Sequence, residues 1–159
     1  MENAQSTADL SGAEVVQGLA SGQISAPKIA QTFPIELTRW TEGTIFASVT
    51  LEPKFLNPNG MAHGGWLSGV LDSGMYLAGL TRLPPKQTIV TRKMTTTFLR
   101  PLLNVAGVYE LVAQVDEIDS ASMRLTAEIR GKDTALHVRA TSTCAIKTSK
   151  SQTEQGDIQ

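Results

Sequence analysis

The densest run of chemistry-bearing residues is Asn57-Pro58-Asn59-Gly60-Met61-Ala62-His63-Gly64-Gly65, followed by Asp72. The two glycines stand where a loop turns into a helix. The first N–H groups of a helix have no intrahelical acceptor and lie at the positive end of its dipole. Glycine leaves them uncovered. The arrangement suits an anion, or a carbonyl oxygen that becomes anionic during acyl transfer; it also serves a plain tight turn. Asp72 is the second feature. A carboxylate in an apolar helix is costly unless paired or used, so Asp72 either does chemistry or bonds a backbone amide or an arginine. It follows Gly65 by seven residues, close to two turns, so both project from one side of the helix about 10 Å apart. That is too far for an acid to serve the N-terminal N–H groups of its own helix. A site joining the two takes the Asp from a neighbouring subunit whose helix lies antiparallel alongside.

Three further residues have two roles open to them. His63 is a base or a hydrogen-bond partner of its own loop. Asn57 orients a water or makes an Asx-turn before Pro58. Thr91 holds a water or is an ordinary strand residue.

These residues need elements to position them. Ser11 with Glu14 forms a capping-box pattern for a helix over roughly residues 12–20, ended by Gly22 and Pro27. Thr44 to Leu51 alternates with period two and predicts a strand. Pro53, Pro58 and Gly60 then make a loop. From Gly64 to Arg82 apolar residues cover most of a helical wheel, which marks a buried helix. Gly65, Ser68, Gly69 and Asp72 form its one narrow small-and-acidic stripe, a surface suited to a partner subunit. Pro84-Pro85 ends the helix. Strands follow over Thr88–Arg100, Val105–Val115, Met123–Ile129 and Leu136–Ile146. The short turns between the last three favour an antiparallel meander. A single apolar helix needs a large cover, and a curved antiparallel sheet wrapped round it supplies one. The expected class is therefore α+β, with polar, disordered tails over 1–10 and 148–159, a helix and linker over 11–31, and the main domain over 32–147.

Composition narrows the function. The chain has 159 residues, one domain on the usual scale. Its formal net charge of −1 gives no global field for a nucleic-acid backbone or an anionic membrane. Charged residues are 18%, below the ~25% of an average soluble chain, which is consistent with surface buried in an oligomer. A single cysteine, Cys144, excludes an intrachain disulfide, and two histidines do not make a metal cage; no metal or cofactor is expected. Asp72 and five Gly or Ser residues interrupt the most apolar stretch, Trp66–Leu83, which therefore falls short of a membrane span. With no secretory pattern at the N-terminus, the expected location is cytoplasmic.

Asn57-x-x-Gly60-x-x-His63-Gly64-Gly65, then Asp72, then Phe98-Leu99-Arg100-Pro101, resembles the PaaI-type hotdog-fold acyl-CoA thioesterases over about residues 32–147. The resemblance implies a hotdog fold, a homodimer or a dimer of dimers, and active sites at the dimer interface. It implies acyl-CoA as substrate, Asp72 as general base or nucleophile, the Gly64 N–H as oxyanion donor, Asn57 as a polar helper near the thioester and His63 as support for its loop. It carries the water-holding hydroxyl onto Thr91. Asp72 and Thr91 would come from one subunit, Asn57 and Gly64 from the other. Gly65, Arg92, Lys93 and Arg100 would meet the substrate, the basic residues with Lys86 being the nearest in sequence for the CoA phosphates. Trp66, Met61, Met75, Tyr76 and Phe98 are candidates for an acyl pocket and equally for the core. Two other readings stay open: a hotdog enoyl-CoA hydratase or dehydratase using Asp72 with His63, and a non-catalytic acyl-CoA-binding module.

Overall fold

Ser11 caps the first helix, α1 (Gly12–Ser21), as its sequence requires. Its hydroxyl accepts from the Glu14 N–H, the Glu14 carboxylate accepts from the Ser11 N–H, and Gly22 closes the helix in the left-handed conformation. The computed structural model describes residues 7–103 and 107–148. The expected tails and the start of the strand expected over Val105–Val115 therefore lie partly outside the described residues; within the tails, Thr7–Asp9 form a short 3-10 turn.

The chain continues through β1 (Glu36–Thr41), β2 (Thr44–Thr50), α2 (Gly64–Leu80), β3 (Gln87–Phe98), β4 (Val108–Ile118), β5 (Ser122–Arg130) and β6 (Leu136–Thr148). The strands form one antiparallel sheet in the order β1-β2-β4-β5-β6-β3. The expected meander is present as β4-β5-β6, and β3 crosses over to pair with β6 at the far edge. Helix α2 lies in the curve of the sheet and touches β2 through β6. This is the hotdog arrangement. The core is its contact layer: Val70, Leu71, Met75 and Ala78 of α2 meet Ile45, Leu111, Leu125, Ile129 and Val138 of the strands, all essentially inaccessible to water.

Strand β1 has no counterpart in the sequence reading. A bulge at Thr38 breaks its alternation, so the two partly buried residues, Leu37 and Trp40, lie three apart instead of two. Gly43, at φ 81, makes the turn into β2.

The N-terminal segment is packed into the fold. The Gly12 N–H donates to the Leu83 carbonyl at 3.0 Å. A Cβ at Gly12 would lie 1.9 Å from the Leu80 carbonyl oxygen, so only glycine lets α1 approach the end of α2 this closely.

On the outer face of the sheet, the Glu128 carboxylate is held between the Arg139 and Arg130 guanidiniums. Burial alone would raise its pKa; the hydrogen bonds from Arg139 and Arg130 and their charges outweigh that and hold it below the usual value. A carboxylate lowered in this way stabilises the fold above its ordinary pKa, and the contribution is lost as pH falls through the folded pKa. Glu128→Gln is expected to melt at a lower temperature than wild type at pH 7. The gap should shrink toward zero as pH drops below the ordinary carboxylate range, as thermal melts across pH will show.

Candidate active site

Every fourth residue of α2 from Gly64 faces β3. The Phe98 ring lies against Gly64, with its Cζ 3.3 Å from where a Gly64 Cβ would stand. The Ser68 hydroxyl donates to Thr96 Oγ1 at 3.2 Å, and the Thr91 hydroxyl donates to Asp72 Oδ1 at 2.9 Å. Tyr76 Oη and Thr88 Oγ1 are 3.3 Å apart. Thr91 and Thr96 face the same way although five positions apart, because Arg92 is an extra, bulged residue between Thr91 and Lys93. The buried Ser142 hydroxyl donates to the Lys93 carbonyl at 3.1 Å beside that bulge. Cys144 Sγ lies 3.8 Å from Thr91 Oγ1. A local irregularity in β3 therefore aims the Thr91 hydroxyl at the carboxylate.

Asp72 is half-buried, and among the described residues Thr91 is the group that hydrogen-bonds its carboxylate. Its second oxygen is open to a proton or to an incoming carbonyl carbon. Asp72 and Thr91 line a cavity of about 620 Å³.

The other end of α2 is built by the preceding loop. The Asn57 Oδ1 accepts from the N–H groups of Asn59 at 2.9 Å and Met61 at 3.2 Å, the Asx-turn read from the sequence. The loop is pinned further by the Ala62 N–H on the Leu102 carbonyl and the His63 N–H on the Phe55 carbonyl. His63 is the N-cap of α2, with its Nδ1 accepting from the Gly65 N–H at 3.0 Å. In that bond Nδ1 is the acceptor, which leaves Nε2 as the ring's donor. Among the described residues the Gly64 N–H has no acceptor. Asn57, Met61, Gly64, Phe98 and Arg100 line a second cavity of about 280 Å³.

The chain thus brings Asp72 together with Thr91, and Asn57 together with Gly64, but keeps the two pairs eight residues of helix apart, about 12 Å. Gly65 spends its N–H on His63 and is no free donor. Arg100 lines the Asn57 cavity. Arg92 sits at the bulge, and Lys93 pairs with exposed Thr143 on the outer face, away from α2. Lys86 is exposed and lies 3.9 Å from Asp9. Of the acyl-pocket candidates, Trp66 and Met75 are core residues; the Trp66 ring stacks on Phe55 and its N–H donates to the Thr32 carbonyl. Met61 and Phe98 line the Asn57 cavity and Tyr76 the Asp72 cavity.

The small-residue stripe of α2, read as a surface for a partner, is covered in part by the chain itself. A Cβ at Gly69 would meet the Phe33 ring at 2.3 Å, and Ser68 and Asp72 bond β3. The sequence reading also missed the wall that Leu19 to Leu37 builds over the Asp72 cavity. Its apolar residues, Leu19, Ile29 and Phe33 among them, look in sequence like ordinary core or linker positions.

Among the described residues no three His, Cys, Asp or Glu side chains gather in a way that would hold a metal ion. No helix there is long and apolar enough to cross a membrane.

The thioesterase superfamily model matches residues 59–137, the stretch that holds Gly64, Asp72 and Thr91. No curated protein matches the sequence. Among solved structures, a phenylacetic acid degradation-related protein from Ralstonia eutropha superposes with a TM-score of 0.74 at 23% identity, over 82% of this chain and 98% of the other. The PaaI protein of the Escherichia coli phenylacetic acid degradation operon gives 0.75 at 18%, over 87% and 97%. A hypothetical thioesterase protein from Streptococcus pneumoniae, solved with coenzyme A, gives 0.67 at 18%, over 74% and 91%. At these identities the likeness of structure establishes the fold.

Proposed function

Residues 59–137 make this chain a member of the thioesterase superfamily, and from that premise we propose that it is a PaaI-type acyl-CoA thioesterase, cleaving an acyl-CoA to a carboxylic acid and free CoA. The observation that carries the reading is the pairing of opposites along α2. A carboxylate is held by the Thr91 hydroxyl on one side, and an unsatisfied Gly64 N–H stands at the positive end of the helix. The likeness to a thioesterase solved with coenzyme A supports CoA as the carrier.

In the reaction the thioester oxygen accepts from the Gly64 N–H, with the Asn57 side chain beside it. Asp72 takes a proton from a water that attacks the carbonyl carbon, or attacks that carbon itself to give a mixed anhydride which water then opens. Either way the C–S bond breaks, the negative charge that gathers on the oxygen is met by the N–H, and the thiolate of CoA leaves and is protonated. Thr91 holds Asp72 Oδ1 and leaves Oδ2 to do the work.

The two half-sites belong to different subunits. A C2 dimer with antiparallel α2 helices sets the Asp72 of one beside the Gly64 of the other. The free edge strand β3 supports this reading: one of its sides is unpaired, and Phe98 and Leu99 at its end are 53% and 52% exposed, apolar side chains that a second subunit would cover.

A panel of acyl-CoAs assayed by free-thiol release tests the activity, with crotonyl-CoA hydration measured alongside. Thiol release without hydration is expected. Hydration without thiol release would instead favour the hydratase, whose His63 is committed here to capping α2.

A further inference from the structure

The cavity at Asp72 continues away from the carboxylate, between α2 and the N-terminal segment. It runs from Gly69 to Leu77, about 12 Å along the helix, and Leu19, Pro27, Ile29, Phe33, Leu37 and Leu77 give it an apolar wall. The polar side chains that border it are already engaged. Ser73 donates to the Gly69 carbonyl at 2.8 Å, Tyr76 pairs with Thr88, Glu36 accepts from Ser48 at 3.3 Å, and Thr91 donates to Asp72. Among the described residues no Lys or Arg lines it. Glu36 and Asp72 would repel a second carboxylate on the acyl group. Phe33 and Tyr76 are the aromatic residues among those lining it, the Phe33 ring packs onto Gly69, and the rest of the apolar wall is aliphatic.

We propose that this cavity is the acyl pocket, that the N-terminal segment Leu19–Leu37 forms its wall, and that it selects a neutral, extended aliphatic acyl chain of medium length. The proposal rests on the thioester-hydrolase reading above and names its substrate class. Each methylene that enters the pocket should raise affinity about fourfold until the chain reaches the end.

The test measures binding and turnover separately, on the full chain. With the Asp72→Asn variant, calorimetry compares acetyl-, octanoyl-, phenylacetyl- and malonyl-CoA. Octanoyl-CoA is expected to bind at least about tenfold tighter than each of the others. Ala30→Phe, which places a ring in the cavity, should collapse that preference, and in the otherwise wild-type chain it should lower the octanoyl-to-acetyl ratio of kcat/KM by a similar factor. Ala26→Trp, on a more exposed part of the wall, serves if Ala30→Phe fails to fold. Equal binding of octanoyl- and acetyl-CoA, tighter binding of phenylacetyl-CoA, or a ratio that neither variant moves would overturn the pocket while leaving hydrolysis intact. Tight octanoyl-CoA binding with no thiol release by the wild-type chain would uphold the pocket and remove the hydrolase reading.

Discussion

Asp72→Asn is expected to lower kcat for acyl-CoA hydrolysis by on the order of 10²–10³-fold or more, with the melting temperature near that of wild type. The substitution keeps the shape of the side chain and an oxygen to accept from the Thr91 hydroxyl, so the bond that joins α2 to β3 survives. It removes the charge and the basicity. An amide neither takes a proton from water nor attacks a thioester, whichever of the two routes the enzyme follows. Thiol-release kinetics with a thermal melt on the same preparation decide it. A folded Asp72→Asn variant that turns over at the wild-type rate would show that Asp72 is structural.

The second large effect is at Gly64. Gly64→Pro is expected to lower kcat by about 10²–10³-fold, the usual loss when one oxyanion donor is removed. Proline is well tolerated at the first position of a helix, where the N–H has no intrahelical partner. His63 already holds the extended backbone, φ −67 and ψ 130, that a residue before proline prefers. Gly64→Ala is the matched control, since both substitutions bring a Cβ to 3.3 Å from the half-exposed Phe98 ring and only proline deletes the N–H. Gly64→Ala should therefore lose much less activity than Gly64→Pro. Equal losses would assign the effect to crowding against Phe98 and take the oxyanion role from this N–H.

Much of this was legible in the sequence, for physical reasons that can be named. Helix α2 announces itself because a helix apolar almost all round must be buried, and Asp72 stands out against that background. The alternation of β2, β5 and β6 reports a sheet with one wet face. The contact of Thr91 with Asp72 could not be read from the strand's own residues, since the bulge at Arg92 shapes how β3 faces α2 and a run of threonines carries no mark of a bulge. The same blindness hid β1, where the bulge at Thr38 erases the period. His63 illustrates a different limit. Its position before two glycines fits a base and a cap equally well, and only the bond from the Gly65 N–H to Nδ1 separates the two. The small-residue stripe of α2 is ambiguous for a related reason: close packing by the chain's own Phe33 on Gly69 demands the same residues as packing by a partner.

The central claim is that each site is shared, with Asp72 and Thr91 from one subunit and Asn57 and Gly64 from its partner. Mixed dimers of Asp72→Asn and Gly64→Pro chains test it most directly. Each variant alone is nearly inactive. In a mixed dimer one site collects both substitutions and the other collects neither, so co-refolding equal amounts should restore about a quarter of wild-type activity. Refolded mixtures that stay as inactive as the separate variants, although mass spectrometry finds the mixed dimer, would contradict the shared site.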